Sequence, residues 1–281
     1  ALAAMFFTAC QQENLEPVAG ENTVTYSVNV SDVATKAIGD DVTAVDKLYY
    51  EVYREADVND PAKLPIYEGD KPVVNGKSTF QLEFVKNQNF VVLFWAQNAD
   101  LQMFDIEDLR KVALENPGAS NNENAQVFAG SDVVTNCAST AGGNVKLVRP
   151  ISQLNIATNA ESLAVGNVNS NTAITLSTST VTVKGIPSVY NVATKAVTTD
   201  ADFTYSSSAV PTGTVTVAGE AYTYVAMNYV GFAPEASTTV DVDFTFVTSE
   251  GEISHSVSNV PLKPNYRTNI VGGLLTAQGT I

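Results

Sequence analysis

Histidine occurs once in these 281 residues, cysteine twice and tryptophan once, and there are 15 lysines and arginines against 30 aspartates and glutamates. Each scarcity excludes a chemistry. A Ser-His-Asp or Cys-His site would have to use His255, which is in phase with Ile253 and Val257 and reads as a partly buried strand residue. No Gly-x-Ser-x-Gly turn surrounds any serine. One histidine and two cysteines in unlike settings cannot supply the four nitrogen or sulfur ligands of a structural zinc. Ala141-Gly142-Gly143-Asn144 lacks the lysine and helix of a phosphate-cradling loop. Asp40-Asp41 and Asp57-Val58-Asn59-Asp60 lack the spacing of an EF-hand calcium loop. Asp241 and Asp243 share one strand face and read as solvated. The formal charge of -15 and pI near 4.3 repel phosphate backbones, so nucleic acid is not an expected partner. No catalytic residue, cofactor or metal is expected, and the chain does not read as an enzyme.

What remains is strand-forming sequence. Thr23–Val30 alternates strictly, placing Val24, Tyr26, Val28 and Val30 on one face of a half-buried strand. Leu48, Tyr50 and Val52 alternate with Tyr49, Glu51 and Tyr53; Phe80, Leu82 and Phe84 form a further alternating run. Phe90–Ala96 is apolar on both faces and belongs in the middle of a sheet or between layers. Gln126–Val134 and Val145–Val148 complete a first sheet set, with a turn over 139–144. From Glu161 to Glu250 the only basic residues are Lys184 and Lys195, and Thr, Ser, Val, Asn and Ala dominate, residues that suit pleated surfaces. Short runs at 151–157, 173–176, 180–183, 189–192, 202–205, 214–217, 222–229, 239–247 and 252–258 have the spacing of a sandwich.

One helix is predicted: Asp105 as N-cap, Asp108 in the first turn, Ile106, Leu109, Val112 and Ala113 on one stripe, and Asn116-Pro117-Gly118 as the stop. The aromatic residues Tyr49, Tyr53, Tyr67, Trp95 and Tyr229 raise a sugar-stacking alternative, although Trp95 sits in the most apolar run and reads as core. The length favours two domains of about 130 residues each, and the composition changes near Arg149-Pro150. The expected division is 1–20 as signal remnant and tether, 21–148 as the first domain and 149–281 as the second.

The run Asn265-Tyr266-Arg267-Thr268-Asn269-Ile270-Val271-Gly272-Gly273-Leu274-Leu275-Thr276 resembles the C-terminal stretch of the fimbrillin-like proteins that build type V pili, surface lipoproteins of anaerobic Gram-negative bacteria. Arg149-Pro150-Ile151-Ser152-Gln153-Leu154-Asn155-Ile156 is similar to the opening strand of that family's second domain. The resemblance implies an all-β fold of two tandem Greek-key sandwiches, transthyretin-like or Ig-like, here with the one short helix in the first. Ala-Leu-Ala-Ala-Met-Phe-Phe-Thr-Ala-Cys looks like the tail of a lipoprotein signal, with Cys10 as the lipidation site and Phe7 where leucine is usual. Acyl chains on Cys10, at about 0.8 kcal/mol per buried methylene, would anchor the chain to the outer membrane without a spanning helix. Cys137 then has no partner and reads as a small hydrophobe.

In the resembling pilins a trypsin-like protease cuts a loop after the first strand, that strand leaves, and a neighbour's strand takes its place. Lys36, where arginine is common in the family, is the corresponding candidate here. Val24, Tyr26, Val28 and Val30, together with Leu274 and Leu275, are the candidate strand-exchange residues. The expected partners are other pilus subunits or further copies of this chain at the cell surface, and a host protein or glycan. The alternative is a non-polymerising surface lipoprotein that binds carbohydrate or another host ligand.

Overall fold

The computed structural model describes residues 22–30, 44–118, 121–122, 124–136, 142–160, 162, 174–208 and 210–275. Among them the chain is an all-β sandwich. Its first half contributes β1 (Thr23–Asn29), β2 (Lys47–Arg54), β3 (Tyr67–Pro72), β4 (Lys77–Glu83), β5 (Phe90–Gln97), β6 (Phe104–Asp105), β7 (Val112–Leu114), β8 (Val127–Val134) and β9 (Gly142–Lys146). The second half contributes β10 (Ile151–Asn159), β11 (Leu176–Tyr190), β12 (Val197–Ser207), β13 (Thr214–Val217), β14 (Glu220–Phe232), β15 (Thr238–Thr248), β16 (Gly251–Leu262) and β17 (Arg267–Gly272).

Two sheets form the first sandwich. In one, β1 runs between β4, antiparallel to it, and β9, parallel to it. In the other the order is β3-β2-β5-β8, antiparallel throughout. Val24, Tyr26 and Val28 point from β1 into a core shared with Leu48 and Val52 of β2 and with Val92 and Phe94 of β5. The opposite face of β2, β5 and β8 is also covered: Tyr53, Leu93, Trp95 and Val127 belong to the large core built by the second half. Every residue of β5 is therefore buried, as the two-sided apolar run anticipates.

The second half stacks the sheet β13-β14-β10-β17 against a sheet ordered β16-β15-β11-β7-β6, with β12 on the other side of β11. Two short strands of this last sheet, β6 and β7, come from the first half, and β7 pairs with the end of β11 at Val112 and Ala113.

The predicted helix does not form. Phe104–Asp105 and Val112–Leu114 are strands joined by a tight connection. The aspartates that suggested a cap instead accept hydrogen bonds two residues ahead, from Glu107 N to Asp105 Oδ1 (3.0 Å) and from Arg110 N to Asp108 Oδ1 (2.9 Å). Such local bonds compete with a helical ladder. The Leu109 N–H is taken by the Glu51 carboxylate of β2 (3.1 Å), and Leu109 and Val112 are pulled into the large core. Tertiary contacts override a weak helical pattern.

Three shorter stretches also depart from expectation, each at a glycine or proline. The segments expected over 173–192 as separate strands are largely one long β11, because Gly185, with φ of 64°, forms a bulge rather than a turn. Asp202 Oδ1 accepts the bulged Gly185 N–H at 2.8 Å. The proline-punctuated stretch after β2 contains β3, an edge strand that tolerates Pro72 at its end. Gly142–Asn144, expected in a turn, opens β9.

Candidate functional site

Sequence patterning singled out β1, and the structure shows what that strand covers. Val24, Tyr26, Val28 and the following Val30 are all essentially inaccessible. Tyr26 stacks on Phe80 with ring centroids 5.6 Å apart and meets Phe94 edge-on at 5.3 Å. Its hydroxyl donates to Asp132 Oδ2 at 3.1 Å. The ring lies directly over Gly143 of β9: a Cβ there would approach a Tyr26 ring carbon to 2.6 Å. Glycine at 143 therefore makes room for Tyr26.

The strand is held from both sides. Its seven residues pair with β4 from Thr23 opposite Glu83 to Asn29 opposite Lys77, and five pair with β9. Val30 N–H donates to Gly76 O (2.8 Å), and Leu147 N–H to Asn29 O (2.9 Å). Without β1, the sheet would split into two unpaired edges beside an empty apolar slot. Burying each large apolar side chain is worth roughly 1.5–3 kcal/mol, so the slot's four side chains together approach the ~5–15 kcal/mol stability of a whole domain.

In the second half, β17 pairs with β10 alone among the described residues and forms an edge of its sheet. Leu275, just beyond it, is fully buried and Leu274 partly so. Leu274 N–H donates to Thr158 Oγ1 (3.1 Å), and its carbonyl lies 2.8 Å from His255 Nε2. His255 thus ties β16 to the segment just after β17. The structure does not bring the two sets of exchange residues together: the β1 residues belong to the smaller core and Leu275 to the larger. Cys10, Lys36 and Cys137 lie outside the described residues.

The other sequence candidates are occupied structurally. Trp95 is fully buried against Phe104 and Phe232, and its indole N–H donates to Gln97 Oε1 at 2.8 Å. Lys184 and the hydroxyl of Ser256 hold the Asp243 carboxyl below the usual range. Asp241 accepts the Asn259 N–H. Among the described residues no group of three His, Cys, Asp or Glu side chains is placed to hold a metal ion.

A feature that sequence reasoning missed lies on the outer face of β2 and β3. There Tyr49 is opposite Asp70 and Glu51 opposite Glu68, and the connection from Ile106 to Leu109 closes one side of a cavity of about 430 Å³. Glu51 is 4% exposed. Burial pushes its carboxyl up to about 7, against the pull of hydrogen bonds from Tyr53 Oη (2.8 Å) and Leu109 N. The only signal was a glutamate alternating with tyrosines, on the face turned away from Leu48, Tyr50 and Val52.

The fold is that of a strand-built chain whose notable places are a covered slot and a side cavity. The profile of the "Family of unknown function (DUF6562)" matches residues 15–281, and the chain belongs to that family. No curated protein matches it significantly. Among solved structures, the chain is similar to a candidate adhesin of Bacteroides ovatus at 16% identity and TM-score 0.51, covering 89% of this chain and 88% of that one. A candidate polysaccharide-binding protein of Bacteroides thetaiotaomicron gives 10% identity and TM-score 0.53, with 89% and 90% covered. A candidate adhesin of the same species gives 11% and 0.52, with 87% and 82% covered. At these identities the likeness is one of fold.

Proposed function

We propose that this chain is a fimbrillin-like subunit of a cell-surface pilus, structural or adhesive, exported as a lipoprotein and assembled by strand exchange. The observation that carries the reading is the slot beneath β1, where that strand and the Val30 after it fill four apolar positions on one face and pair with a strand on either side. A strand of a neighbouring subunit has the chemistry to replace it, through main-chain hydrogen bonds for affinity and alternate side chains for specificity. Lys36, in the connection that follows β1, is the point where a trypsin-like protease would release it. Cys10 would carry the acyl chains that hold the precursor on the outer membrane. The shared fold with candidate adhesins supports a place at the surface.

The test is chemical sequencing of the mature protein from native cell surfaces, paired with electron microscopy using an antibody to the chain. A chain beginning at Ala37 in filaments is the expected result. A chain still beginning at an acylated Cys10, with label scattered and no filaments, would overturn polymerisation through β1. It would leave the second reading, a monomeric surface lipoprotein that binds carbohydrate. The side cavity, with tyrosines and carboxylates at its wall, favours that reading.

A further inference from the structure

The cavity beside β2 and β3 is separate from the slot under β1 and has its own chemistry. Tyr49 and the aliphatic side chains of Ile106 and Leu109 give it apolar wall, while Glu51, Glu68, Asp70 and Glu107 supply its charge. At about 430 Å³ it has room for one or two sugar rings rather than an ion. The carboxylates are also not arranged as a metal site.

The charge is unevenly neutralised. Lys47 Nζ lies 3.4 Å from Asp70 Oδ2 and 5.1 Å from the Tyr49 ring centroid, so one edge of the cavity already cradles an ammonium between a carboxylate and an aromatic face. Arg110 turns away, paired with Asp108 at 2.9 Å and stacked over Tyr53. Glu68 and Glu107 have no ion pair among the described residues, and Glu51, directly across the strands from Glu68, is buried. A cation bound beside Glu68 and Glu107 would give these two carboxylates the ion pair they lack.

We propose that this cavity binds a saccharide unit carrying a free amino group. Its ring carbons would lie along Tyr49, Ile106 and Leu109, its hydroxyls would donate to the carboxylates at the rim, and its ammonium would sit between Glu68 and Glu107 above Glu51. Every charged group in the cavity wall is an acceptor, which a ligand rich in donors satisfies and an anionic sugar does not. The inference is independent of strand exchange, since neither the slot residues nor the connection after β1 takes part.

Calorimetric titration of the full chain at mildly acidic pH, with glucosamine, glucose, N-acetylglucosamine and ethanolamine as separate probes, tests it. Saturable binding of glucosamine is expected, about tenfold tighter than that of either neutral sugar or of ethanolamine, and lost in the pair Glu68→Gln, Glu107→Gln. Both substituted residues are exposed, so circular dichroism and melting should match the parent. No saturable binding, equal binding of glucose, equal binding of ethanolamine, or unchanged affinity in the folded double variant would each overturn the proposal. Filament formation by that variant would be unaffected, which keeps this result distinct from the pilus reading.

Discussion

Glu51 is an ionisable side chain held almost wholly out of water. Its carboxyl is enclosed by Tyr53, by the Leu109 amide and by the strand pair carrying Glu68, and burial raises its pKa to about 7. In an unfolded chain the same group titrates near 4.5. Below the unfolded value both states hold the proton and the group is neutral in its effect on folding. As pH rises from about 4.5 through about 7 the unfolded state releases the proton first, so stability falls over that window and stays lower above it. Glu51→Gln keeps an oxygen to accept the Leu109 N–H and removes the charge. It should raise stability by about 1–2 kcal/mol at pH 8 and change it little at pH 4, as read by denaturant titration at both pH values. An unchanged difference across pH would mean that the carboxyl is not the titrating group.

Among the described elements, β1 combines complete burial of one face with the first place in strand order. A protein trimmed of β1 should melt at a markedly lower temperature, and a synthetic peptide of Thr23–Val30 should restore the loss when added in excess. A peptide with Val28→Asp should not, because Val28 is fully buried in the core. This much was legible in the sequence: strict alternation identified β1, and the two-sided apolar run of β5 announced a strand between layers. The failures are equally specific. Asp105 and Asp108 carry a helix-start signature that Asx bonds and the reach of Glu51 to Leu109 convert into a turn. Gly185 lies between short runs that read as separate strands, yet the pairing of β11 with β12 continues past it as a bulge. The side cavity was illegible because it exists only once β3 lies beside β2 and the connection after β6 folds over them. Sequence spacing does not encode such a meeting of distant segments.

At the scale of the whole molecule, the two halves share material. The sheet of β2, β5 and β8 is covered by the small core on one face and the large core on the other, and β6 and β7 complete a sheet of the second half. Separating the halves would strip Trp95, Leu93 and Phe104 of their packing. Scanning calorimetry of the full chain should therefore show one cooperative transition with matching calorimetric and van't Hoff enthalpies; two resolved transitions would contradict this coupling. A molecule built in this way would bear load differently from beads on a string. With β5 buried against a core on each face, pulling the two halves apart would have to open both cores at once, so the molecule should yield to force in one step rather than half by half.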